Sequence, residues 1–116
     1  AGIEHPGNTF EGKEIHPMQG HSFRTLLSNP EADASTNLLG IELFGKYALR
    51  DGDWKLLLMP KPYATGDVEL YYLPDDPGET NNLALKKPEK LASMIEKWRA
   101  YQRENNVILP DWVSGY

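Results

Sequence analysis

The clearest periodicity lies in the last third of the chain. Leu91, Met94, Ile95, Trp98 and Tyr101 recur at three- and four-residue spacing, which puts them on one apolar stripe of a helix. Pro88 suits the first helical position, where a missing N–H costs nothing, and Glu89 favours the positive helix end. Asn105 and Asn106 are suitable terminators. Upstream the pattern shortens to strand-like runs. Residues 39–44 suit one strand. Residues 47–50 and 54–59 flank Asp51-Gly52, a hairpin signal because both types tolerate positive φ. Residues 68–73, ended by Pro74, supply a further strand. The expected fold class is α+β, with about four antiparallel strands packed against one C-terminal amphipathic helix.

The second hairpin arm adds a constraint. Trp54, Leu56 and Leu58 point to one face, while Lys55, Leu57 and Met59 point to the other. A sheet solvated on one face alternates apolar with polar residues. Two apolar residues on the outer face predict that both faces are at least partly covered, and one helix can cover only one of them.

Residues 1–37 read differently. Gly, Pro and His punctuate positions 1–21 often enough to predict an extended connector without regular structure. Ser22 can cap a short helix through Phe23, Leu26 and Leu27, stopped at Pro30. Residues 29–37 read as a polar loop, and residues 107–113 as an apolar tail. The expected organisation is a connector over 1–37 and a single domain over 38–116.

At 116 residues the chain can hold one modest core. A net charge of −5 and a pI near 5.1, with scattered basic residues, argue against a nucleic-acid surface, which needs clustered cations. No apolar run approaches the roughly 20 residues of a membrane span. The chain begins with Ala1 and has no cysteine. The first observation suggests a processed or excised segment. The second excludes disulfides and a cysteine nucleophile but leaves the compartment open between bacterial periplasm and cytoplasm.

Candidate chemistry is thin. Asp75, Asp76 and Glu79 crowd three carboxylates together, but their spacing fails a calcium loop. Asp-Pro-Gly more simply builds a turn in which Pro77 fixes φ and Gly78 takes positive φ. Asp51 and Asp53 read as solvated turn carboxylates. His5, His16 and His21 match no zinc signature. No serine-hydrolase elbow, phosphate-binding loop or dinucleotide fingerprint occurs. Tyr63, Tyr71, Tyr72, Trp98 and Tyr101 could stack on carbohydrate, and core packing is the plainer use.

Several blocks, taken in order, resemble the C-terminal subdomain of type I, arylsulfatase-like sulfatases. The strand Glu42-Leu43-Phe44-Gly45 is similar to that family's Glu–aromatic–Gly strand. A hairpin follows with Ala48, Arg50, Gly52, Trp54 and Lys55. Next comes Leu70-Tyr71-Tyr72-Leu73, leading through Asp76-Pro77-Gly78-Glu79 to Asn82-Leu83, and then a helix bearing Trp98. Ala1-Gly2-Ile3 resembles the end of the helix that closes the family's catalytic domain.

The resemblance implies a parent enzyme that hydrolyses sulfate esters. Its nucleophile is a formylglycine made from Cys or Ser in Cys/Ser-x-Pro-x-Arg, assisted by calcium. None of this maps onto the present residues. The nearest serine match, Ser28-Asn29-Pro30-Glu31-Ala32, lacks the Arg. No catalytic, metal or cofactor residue is assigned, and the isolated chain is expected to be inactive. The implied partner is the parent's catalytic domain, approached by residues 61–67 and 29–37 as possible pocket loops. A stand-alone interaction or dimerisation module, using an exposed sheet face, is the alternative.

Overall fold

Two tight turns set the register of the first three strands of a four-stranded antiparallel sheet, and a longer connection leads to the fourth. The computed structural model describes residues 6–17, 20, 22–29, 31 and 38–110. Within it, contacts divide the chain into Ala1–Ala32 and Asp33–Tyr116. In the first unit, β1 (Thr9–Phe10) and β2 (Lys13–Glu14) form a minimal hairpin, followed by α1 (Arg24–Ser28). Gly and Pro punctuation therefore does not keep this stretch wholly irregular. Glu11 and Gly12, at φ 48° and 76°, make the tight turn that lets the strands pair. Helix α1 starts two residues later than Ser22, whose hydroxyl oxygen accepts the Arg24 N–H at 3.3 Å, although the N-cap position itself is Phe23, which makes no side-chain cap bond. His5, His21, the loop over 32–37 and the tail beyond 110 lie outside the described residues.

In the second unit the elements run β3 (Leu39–Leu43), β4 (Lys46–Asp51), β5 (Trp54–Leu58), β6 (Val68–Tyr72) and α2 (Pro88–Glu104), with sheet order β3-β4-β5-β6. The β3–β4 turn is Phe44-Gly45, both at positive φ (52° and 81°), as a mirror-image two-residue turn requires. The β4–β5 turn is Gly52-Asp53, one residue later than the sequence suggests. Asp51 still belongs to the strand and pairs with Trp54.

Register sorts the side chains onto two faces. Tyr47, Leu49, Trp54, Leu56, Leu58, Val68 and Leu70 share the face that meets α2, on which Met94 and Trp98 are buried. Leu49, Leu56, Leu70 and Met94 have no exposed surface, and Trp98 keeps 2%. Each such burial stabilises by about 1.5–3 kcal/mol. Trp98 stacks on Tyr47 at 4.1 Å between ring centroids and contacts Tyr101 at 5.6 Å. The α+β architecture and the helix-on-sheet core are as expected.

Among the described residues, the opposite face is covered on one side and open on the other. Tyr71, on β6, is 6% exposed there. On β3, Leu39, Ile41 and Leu43 are 55%, 58% and 59% exposed. The second apolar face anticipated from Leu57 is real, and its β3 half has no cover among the described residues.

Candidate functional site

The residues singled out by sequence fall into two groups that build local structure. The first surrounds the loop after β6. Asp76 accepts hydrogen bonds from the Thr80 N–H (2.9 and 3.0 Å to its two oxygens), the Thr80 hydroxyl (3.0 Å) and the Asn81 N–H (2.8 Å). Those donors hold its carboxyl below the usual carboxylate range, the Thr80 and Asn81 backbone groups being the main cause. Pro77 and Gly78 make the turn, but positive φ falls on Glu79 (56°) and not on Gly78. Glu79 is held there by an ion pair with Lys55 at 2.6 Å. That pair relieves a conflict in the sheet, where Arg50 and Lys55 stand directly opposite each other. Arg50 turns its Nε–H to the Gly52 carbonyl at 3.1 Å.

Asn82 then closes the edge of the sheet. Its Oδ1 accepts from the Leu70 N–H (3.1 Å) and the Ala84 N–H (2.9 Å), and the Leu83 N–H donates to the Leu70 carbonyl (2.8 Å). Beneath the loop, Tyr71 donates its hydroxyl to Glu69 at 2.7 Å. Burial, followed by that bond and the neighbouring carboxylates, pushes the phenol up to about 12. The three crowded carboxylates are thus partly committed: Asp76 to backbone donors and Glu79 to Lys55. Trp54 and Tyr72, with ring centroids 5.0 Å apart, line a cleft of about 460 Å³ with Asp75, Thr80, Asn81 and Lys87. Among the described residues no buried side-chain polar atom lacks a hydrogen-bond partner, and no cluster could hold a metal ion. His16 is exposed.

The second group secures the β3–β4 turn. Glu42 accepts the Gly45 N–H at 2.8 Å, and a Cβ on Gly45 would meet Pro110 Cγ at 3.2 Å.

Two features escaped sequence reading. Asp51 is not a solvated turn residue: Lys97 on α2 bonds it at 2.5 Å and Lys90 lies 3.7 Å away. The Lys97 hydrogen bond is the main reason its carboxyl is held low. Gly40 forms a notch filled by Tyr101, whose hydroxyl donates to the Gly40 carbonyl at 3.0 Å. A residue at Gly40 would place its Cβ about 2.4 Å from that ring. Helix spacing pointed to Tyr101, but nothing local pointed to Gly40.

No family model matches the chain. Against curated proteins it is 34% identical over 109 residues to an uncharacterized sulfatase of Schizosaccharomyces pombe, covering 93% of this chain and 20% of that protein. The chain is related to a segment of a sulfatase. It spans about a fifth of the length of that relative, by the 20% coverage.

Proposed function

We propose that this chain is the C-terminal, non-catalytic subdomain of a type I, formylglycine-dependent sulfatase, serving as a structural support for the catalytic domain. The observation that carries this reading is the similarity to a sulfatase along 93% of the chain but only 20% of the relative. Two further points support it. The chain has no Cys and no Cys/Ser-x-Pro-x-Arg, so the nucleophile belongs elsewhere in the parent. The distinctive residues are spent on turns and edges: Asp76 on Thr80 and Asn81, and Asn82 on Leu70 and Ala84. On this reading the calcium ion, like the formylglycine, is held by the parent outside this segment.

The exposed row Leu39, Ile41 and Leu43 suits a surface buried against the catalytic domain. Residues 61–67 form a loop that could approach the substrate pocket. Removing that loop from a full-length parent should alter turnover of at least one sulfate ester, and unchanged activity on all of them would refute its role. The same exposed row favours the second reading, a module that associates through this face.

The direct test is to assay the purified chain on a chromogenic aryl sulfate, with and without calcium. Background hydrolysis is expected in both conditions, and genuine turnover would overturn the reading.

A further inference from the structure

The two edges of the sheet are treated differently. The outer edge of β6 is closed, because Leu70 exchanges hydrogen bonds with Asn82 and Leu83. Among the described residues, no segment runs along β3 in the same way. The hairpin register decides which backbone groups of β3 face outward. A two-residue turn makes its flanking residues, Leu43 and Lys46, a hydrogen-bonded pair. By alternation Ile41 and Leu39 also bond toward β4, so the N–H and C=O groups of Gly40 and Glu42 point away from the sheet. The Gly40 carbonyl accepts from Tyr101, and its oxygen has a second lone pair.

We propose that β3 pairs edge to edge with β3 of a second copy of this chain, antiparallel and with Ile41 on the two-fold axis, joining two four-stranded sheets into one. The occupant follows from the strand's own pattern. Leu39-Gly40-Ile41-Glu42-Leu43 reads apolar, small or polar, apolar, polar, apolar from either end. Centred on Ile41, the antiparallel register sets Leu39 against Leu43 of the second copy and Ile41 against its equivalent. All three apolar positions of each strand then meet apolar partners on one face. On the other face Glu42 stands opposite Gly40, so no like charges confront each other across the axis. The Glu42 carboxylate is also turned back to the Gly45 N–H. The outward groups of Gly40 and Glu42 meet as reciprocal hydrogen-bonded pairs. The one charged side chain of β3, Glu42, is turned back to its own turn, and the strand contains no Lys, Pro or bulge, devices that act against such pairing. An isologous contact of this kind closes on itself as a dimer. It goes beyond the sulfatase reading and does not depend on it.

Sedimentation equilibrium of the intact chain, from about 10 µM to about 1 mM, covers the range of weak association. A concentration-dependent dimer is expected. Register is read by cysteine. The chain has none of its own, so Ile41→Cys is a single reporter. In a non-hydrogen-bonded pair on the axis its Cα atoms lie about 4.5 Å apart, inside the disulfide window of about 4.4–6.8 Å. Leu39→Cys and Leu43→Cys each sit about 14 Å from their own equivalents, at about 3.4 Å per residue. Mild oxidation should link Ile41→Cys quickly and the other two slowly. Ile41→Lys sets two cations face to face and should weaken the dimer at least tenfold, with an unchanged circular dichroism spectrum. Should that variant not fold, the three cysteine variants decide alone. A monomer throughout the range, which would leave β3 to some other partner, overturns the proposal. So does a dimer in which Leu39→Cys or Leu43→Cys links as fast as Ile41→Cys, since that points to face-to-face stacking.

Discussion

Gly40→Ala is the substitution that most directly tests how α2 is held to the sheet. The added Cβ would lie about 2.4–2.7 Å from three atoms of the Tyr101 ring, well inside contact distance. The ring cannot simply swing aside, because it packs against Trp98 and its hydroxyl bonds the Gly40 carbonyl. Overpacking at such a site costs about 1–3 kcal/mol, and losing the hydroxyl bond adds about 1 kcal/mol. Gly40 is not at positive φ, so alanine meets no backbone strain and gains about 0.4–1 kcal/mol from a less flexible unfolded chain. The net expectation is a loss of about 1–3 kcal/mol, or a fall of about 4–8 °C in Tm for each kcal/mol in a domain of this size. Urea unfolding of the single variants and of Gly40→Ala combined with Tyr101→Ala gives the coupling. With the ring gone, the added methyl should cost almost nothing. An unchanged or raised midpoint for Gly40→Ala alone, or strict additivity in the cycle, would refute the notch as a packing device.

Other consequences concern the loop and its charges. Asn82→Ala strands the Leu70 and Ala84 N–H groups and should lower stability by about 1–3 kcal/mol, read as a lower urea midpoint with an unchanged slope. Asp51 has a lowered folded pKa, so its contribution is complete above the unfolded value of about 3.9 and disappears as pH falls through the folded value. Asp51→Asn should therefore flatten the acid limb of stability against pH, and an acid limb identical to that of the parent chain would exclude the Lys97 contact as its source. Tyr71 has its folded pKa raised to about 12, so the folded state keeps a proton that the unfolded chain loses near pH 10. Stability should fall between those values, and Tyr71→Phe should lessen the fall, with phenolate absorbance following the titration directly.

Much of the fold was legible because its signals are local. The Leu91-to-Tyr101 stripe needs only the helical period, and Leu57 beside Leu56 already showed a second apolar face. Turn chemistry was legible in kind but not in position. Asp-Pro-Gly marked a turn, yet the left-handed residue is Glu79, held by Lys55 from another strand. Phe44 gave no warning of its positive φ, which a bulky residue seldom adopts and which here follows from strand pairing on both sides. The role of Asp51 was equally hidden, because Lys97 lies 46 positions away.

The order and type of the elements were therefore set by short-range preference: apolar period, turn-forming residues and a helix start at Pro88. What Asp51 and Glu79 pair with, which glycine must stay small, and which edge of the sheet is uncovered among the described residues were decided by tertiary structure. The reason is geometric. The partners of Asp51 and Gly40 are Lys97 and Tyr101, far along the chain, which come within reach only once α2 has docked on the sheet, and Glu79 finds its partner Lys55 on another strand.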